Sequence, residues 1–185
     1  ISRTYRMGKD ARIFNTILTF SILHVIMDMV TVYTVNHTDT VPLWLNNAAH
    51  GIFYLSAILY AYAMCMYTLN MSRPSQMDLK KKLLAALPAL IYLALICTPL
   101  LNIEYEQARG TWLSVGSAPV AGYILAFVYL SIAAGSILYH WNRLDKHFRW
   151  IMLPMLLLLI LAELIQVQVK EFLFTGCAVT AVTVA

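Results

Sequence analysis

The stretch IFNTILTFSILHVIMDMVTVYTVN, residues 13–36, is long enough to cross a bilayer, since about 20 mainly apolar residues at about 1.5 Å each cover the roughly 30 Å hydrocarbon layer. It nevertheless carries His24 and Asp28, one helical turn apart on one face. A carboxylate inside a membrane helix costs at least about 2.5–3.5 kcal/mol on insertion scales, so it should face protein or water rather than lipid. The rest of the chain is read for what those two residues turn towards.

Hydrophobic residues make up 61% of the 185 and charged residues 12%, about half the usual charged share. A soluble domain of this length needs a more charged surface, so the composition is that of an integral membrane protein. The net charge of +4 does not signal nucleic-acid binding, because the basic residues sit in short clusters between apolar runs, as topology signals do. Cys65, Cys97 and Cys177 fall inside apolar segments without a CxxC pair and read as packing residues. The basic start, Arg3 to Arg12, precedes an apolar run too long for a signal peptide. The chain opens without Met and stops within an apolar run, so continuation at both ends is expected.

Six apolar segments follow one another: 13–36, 43–70, 83–102, 119–141, 150–167 and 172–185. Pro42 is placed at the opening of the second, where a missing N–H does no harm. The last covers only about 21 Å at helical rise and is expected to be an incomplete span. The expected fold is therefore an all-α membrane protein, a polytopic bundle with six visible spans and seven or eight in the full-length protein. Residues 103–117, IEYEQARGTWLSVGS, form the longest polar stretch and break at Gly110 and Gly116. Lysine and arginine counts set the orientation. Eleven of the thirteen lie in the N-terminal stub, the Arg73–Lys82 linker and the Arg143–Arg149 turn; only Arg109 and Lys170 lie on the opposite side. This predicts a multi-pass cell-membrane protein with stub and C-terminal continuation both cytoplasmic. Trp44 and Trp112 then fall at the outer boundary and Trp141 and Trp150 at the inner one, where indoles prefer to sit.

Counted from the outer end of each span, Asp28 lies about 12 Å deep, His50 about 10 Å, Glu163 about 6 Å and His24 about 18 Å. Gln166 lies one turn from Glu163. Weaker polar groups, Tyr33, Asn46, Asn47, Tyr54, Asn102 and Tyr123, share the outer layer. Two readings stand side by side. These residues pair across helices and lock the bundle, at about 0.6 kcal/mol per pair, or they line a ligand pocket. The candidate ligand-binding set is Asp28, His50, Tyr54, Glu163, Gln166, His24 and Asn47. No catalytic, metal or cofactor site is expected: GxSxG, HExxH and P-loop motifs are absent, and no span holds a mid-span lysine for a Schiff base. His24 and His50 read as helix-packing residues before metal or haem ligands. The expected partners are membrane lipids and an unidentified small-molecule or peptide ligand, with no nucleic acid; Lys80–Lys82 reads first as a topology signal and second as a contact for anionic lipid.

Several stretches carry a resemblance: Arg12 with Phe14, then Asp28 with Tyr33 and Asn36, PLWLNNAAHGIFYL at 42–55, and ELIQVQVKEFLFTGCAV at 163–179. Together these resemble the N-terminal multi-helix membrane regions of Gram-positive, clostridial-type diguanylate cyclases with GGDEF output domains, or of related sensor histidine kinases. That family usually has an extra span before the basic stub and an output domain after the last span; this chain shows neither. The resemblance implies a sensory module that binds a signal in the outer half of the bundle and relays it through span six to a cytoplasmic output domain, with dimerisation through that domain. A small-solute or proton-coupled carrier using Asp28 and Glu163 as relay groups is the alternative, although no inverted repeat is present. An intramembrane enzyme is disfavoured, because no nucleophile–base pair is recognisable.

Overall fold

A computed structural model describes residues 2–72, 78–108, 111–168, 179, 181 and 182. Five helices and one hairpin follow in order: α1 (Ser2–Asn36), α2 (Leu43–Ser72), α3 (Leu79–Ile96), β1 (Glu104–Ala108), β2 (Thr111–Val115), α4 (Ser117–Tyr139) and α5 (Lys146–Gln168). The chain is thus predominantly helical and of membrane type. Among the described residues, four helical stretches are long and apolar enough to cross a membrane: Ile13–Asn36, Leu43–Ser72, Ser117–Tyr139 and Lys146–Gln166.

Among the described residues, four candidate spans stand against the six read from the sequence. The expected third span, 83–102, is cut short because α3 ends at Ile96, with a turn at Cys97–Leu100. Its N-terminal turn is the lysine triplet, so its apolar part is only about 21 Å long at helical rise. Of the expected sixth span, 172–185, only Val179, Ala181 and Val182 are described, and the two valines are buried in the core; the rest of that segment lies outside the described residues.

Helix starts follow from local chemistry. The Pro42 carbonyl accepts the N–H groups of Leu45 and Asn46, so Pro42 caps α2 from just outside rather than opening it. Asp145 Oδ1 accepts the N–H groups of His147 and Phe148 at 2.9 and 3.2 Å. This side-chain cap starts α5 four residues before the expected Trp150.

The bundle is organised around α2, which packs against α1, α3 and α4. Small residues let α4 approach closely: Ala57 and Ala61 on α2 and Ala126, Ala133 and Ala134 on α4 are all buried, as membrane helix interfaces favour. A Cβ on Gly122 would sit 3.2 Å from the Tyr92 hydroxyl and 3.4 Å from Tyr54 Cβ. The α3 helix is held by three hydroxyls: Tyr62 donates to the Lys82 carbonyl, Tyr129 to Ala85 and Tyr92 to Ala118. It runs back along α2, with Lys82 near Tyr62 and Ile96 3.5 Å from the position a Cβ would take on Gly51.

The strands form an unforeseen element where the sequence showed only polar chain broken at glycines. They pair antiparallel with Glu104 opposite Val115 and Ala108 opposite Thr111. Asn102 fastens the base. Its Oδ1 accepts the Ser117 N–H at 2.9 Å and its carbonyl accepts the Ala118 N–H at 3.1 Å, which satisfies the first turn of α4. Gly116 makes the bend with φ 113°, and a Cβ there would lie 2.6 Å from the Asn102 carbonyl oxygen, so only glycine fits. The hairpin sits where α1 and α3 end and α2 and α4 begin. This is the hairpin end; the lysine triplet and the α4–α5 turn mark the opposite, Lys-rich end.

Candidate functional site

Beneath the hairpin lies a cavity of about 100 Å³ to which five elements contribute. From α1 comes Thr31, from α2 His50, Phe53 and Tyr54, from β2 Trp112 and Ser114, from α4 Tyr123 and from α5 Gln166. Tyr54 is the centrepiece, 1% exposed. Its hydroxyl shares a 2.5 Å hydrogen bond with Ser114 Oγ, so the hairpin is bolted to the bundle core. Its ring meets Tyr123 edge-on at 5.8 Å and His50 at 6.4 Å.

His50 is buried, and its Nδ1 lies 3.0 Å from the Asn46 carbonyl one turn back. A carbonyl only accepts, so Nδ1 carries the proton and Nε2 of the neutral ring is an acceptor. The Tyr105 hydroxyl on β1 donates to Asn47 Oδ1 at 2.8 Å, and its ring packs edge-on against His50 at 5.2 Å. Loss of water on burial, and then the nearby Tyr54, push the Tyr105 phenol above its ordinary value, which keeps it a donor.

The two acidic residues stand behind this wall. Tyr123 lies within electrostatic range of both Asp28 and Glu163 and is hydrogen-bonded to Gln166. Oδ1 of Asp28 and Oε2 of Glu163 are each buried without a hydrogen-bond partner. Among the described residues the one ion pair is Lys81–Asp78 at 4.0 Å, exposed and far along the chain, so neither carboxyl has a basic partner there. No group of three or more metal-ligating side chains occurs among them either.

The seven residues singled out in the sequence therefore divide. His50, Tyr54 and Gln166 line the cavity; Asp28 and Glu163 back its Tyr123 wall. Asn47 lines a second, larger cleft of about 510 Å³ between α2 and α3, and reaches the site only through Tyr105. His24 does not line the cavity itself but packs against Phe53, which does. It is 1% exposed and stacked on Phe53 at 4.6 Å, with Nδ1 donating to Ser56 Oγ, which donates on to the Phe53 carbonyl. Among the weaker polar residues, Tyr33 faces outward and stacks on His37, Asn46 accepts from Thr34 across α1–α2 at 2.9 Å, and Asn102 is the α4 cap.

Sequence reading missed Phe53, Trp112, Ser114 and Tyr105. Three of these, Tyr105, Trp112 and Ser114, belong to short runs flanking a two-residue Arg-Gly step, EYEQA and TWLSV, a spacing that signals a hairpin. Trp112, expected as an interfacial anchor, lines the cavity. The fold and site define a membrane-type helical bundle with a strand-capped cavity. No protein-family model, curated protein or solved structure matches the chain.

Proposed function

We propose that the chain is a membrane-embedded sensing module that binds a small ligand beneath the hairpin and passes the resulting helix shift to the Lys-rich end. The observation that carries this reading is that one small cavity is walled by α1, α2, β2, α4 and α5 together. A ligand touching all five favours one arrangement of them over others, and only such differential binding moves an equilibrium. The hairpin end faces outward, because the basic clusters gather at the other end. With that orientation α3 is a short further crossing that returns the chain to the hairpin end. Through the resemblance to diguanylate cyclase and sensor kinase membrane regions, the recipient of the signal is a cytoplasmic, dimeric output domain.

The carboxyls of Asp28 and Glu163, each with one buried oxygen that lacks a hydrogen-bond partner, favour a second reading, a proton-coupled carrier. One experiment separates the two. Small metabolites are screened for thermal stabilisation of the purified chain, and each hit is tested in two ways. Spin labels on α1 and α5 at the Lys-rich end report distance, and sealed vesicles report accumulation. A distance change without accumulation supports sensing. Accumulation driven by a proton gradient supports the carrier and overturns sensing.

A further inference from the structure

We propose that the ligand of this cavity is a small monovalent organic cation, an ammonium seated among the rings of Phe53, Tyr54, Trp112 and Tyr123, with Glu163 and Asp28 supplying the countercharge. The inference rests on the sensing reading of the cavity and names its ligand class.

Three independent features converge on positive charge. The first is the wall, in which four aromatic side chains from three elements line a space of about 100 Å³. Aromatic faces carry negative potential and attract ammonium groups, the more so where water is excluded. The second is the uncompensated acid. Glu163 is 7% exposed, and its Oε2 is buried without a partner, as is Oδ1 of Asp28; both carboxyls act on Tyr123, a member of the wall. A buried carboxyl, Glu163, and a half-buried one, Asp28, with no cation beside them are costly, and an entering positive charge relieves that cost. The third is the complement of polar groups. No lysine or arginine lines the cavity among the described residues, and the lining base His50 spends its Nδ1 proton on Asn46, presenting an acceptor at Nε2. Ser114 and Thr31 add hydroxyl oxygens. An anion would meet two carboxyls nearby and no lysine or arginine among the lining residues, so the cavity disfavours it.

Size narrows the class. The space is that of roughly three waters at about 30 Å³ each, which suits a methylated amine head rather than a peptide or a nucleotide. The larger α2–α3 cleft has no such complement: it is lined mainly by aliphatic residues such as Ile52, Leu55, Leu93 and Ile96.

The test uses the full chain in lipid nanodiscs and titration calorimetry with tetramethylammonium, methylammonium and choline, against 3,3-dimethyl-1-butanol, the neutral isostere of choline. At least one cation binds, and for choline the isostere is weaker by about tenfold or more, a ratio of about 1.4 kcal/mol. Glu163→Gln lowers cation affinity by a similar factor while its unfolding temperature stays at or above that of the parent chain. Asp28→Asn serves as the second variant if Glu163→Gln does not fold. Equal affinity for the isostere, undiminished cation binding in both variants, or no binding of any cation at millimolar concentration overturns the proposal. Spin-label distances recorded in the same samples keep the two ideas apart. Cation binding that leaves all distances unchanged sinks the sensing reading alone, and neutral binding that shifts them sinks only the cation.

Discussion

At the scale of single residues, the buried polar groups separate into those the fold has satisfied and those it has left waiting. His24 belongs to the first kind through Nδ1 and its ring, although its Nε2 has no partner. Its contribution is thus shape more than charge. His24→Ala is expected to cost about 2–4 kcal/mol as a core cavity, whereas His24→Phe keeps the stack on Phe53 and stays within about 1.5 kcal/mol; thermal unfolding in detergent compares them. Equal losses in the two would show that the Ser56 bond matters more than packing. Glu163 is of the second kind. Replacing an unpartnered buried carboxyl by leucine is expected to stabilise the bundle by about 1–3 kcal/mol, seen as a higher unfolding temperature, and to abolish ligand response. A residue that costs stability where it stands is a mark of function. The acids were legible in the sequence for that reason: charge inside an apolar run stands out at once. That both would stand behind Tyr123 and not face the cavity was not, because facing depends on helix rotation, and rotation is set by packing partners from distant segments.

At the scale of elements, the hairpin couples loop chemistry to the core, and it was the least legible part of the chain. Its strands are five residues each, too short for periodicity to declare itself, and the glycines that shape it read equally well as plain loop breaks. Two clasps hold it, Tyr54–Ser114 and Tyr105–Asn47. Tyr54→Phe should cost about 1 kcal/mol, the net worth of a hydrogen bond, and should raise amide exchange across Thr111–Val115 without altering α4. Gly116→Ala should cost more than about 1 kcal/mol, because alanine must adopt positive φ against the Asn102 carbonyl; loss of strand amide protection with α2 unchanged would confirm it. The Tyr105 clasp has a pH dependence whose sign is set by burial. The folded-state value lies above the ordinary 10.0 because the phenolate would lose its water. The clasp is therefore fully present below pH 10.0, and is lost as pH rises through the higher folded-state value. The ultraviolet phenolate signal that distinguishes the parent chain from Tyr105→Phe should appear only above pH 10.0. Appearance at or below that pH would mean that Tyr105 is solvated and the hairpin undocked.

At the scale of the whole molecule, hydropathy and charge clustering made the membrane class and four of the helices readable, yet the centre of the bundle was misplaced. The conspicuous helix is α1, with His24 and Asp28, but the molecule is built on α2. Its centrality comes from alanines, tyrosines and methionines that touch three neighbours, and nothing local in a hydrophobic helix says how many neighbours it will have. The two-ended distribution of charge survives that correction, and it leads to the last prediction. With the Lys-rich end cytoplasmic, a cysteine placed at the exposed Glu106 on β1 should react with a membrane-impermeant maleimide added to intact cells. One at the exposed Lys81 on α3 should react only after permeabilisation, both in a Cys97→Ser background, because Cys97 is itself exposed. The physical reason is that moving the hairpin inward would carry three basic clusters outward, against the preference of lysine and arginine for the cytoplasmic face. If Lys81→Cys were labelled from outside, the cavity would open to the cytoplasm. The ligand would then be an internal metabolite and the hairpin its inner cover, so the cavity chemistry would stand while the direction of signalling reversed.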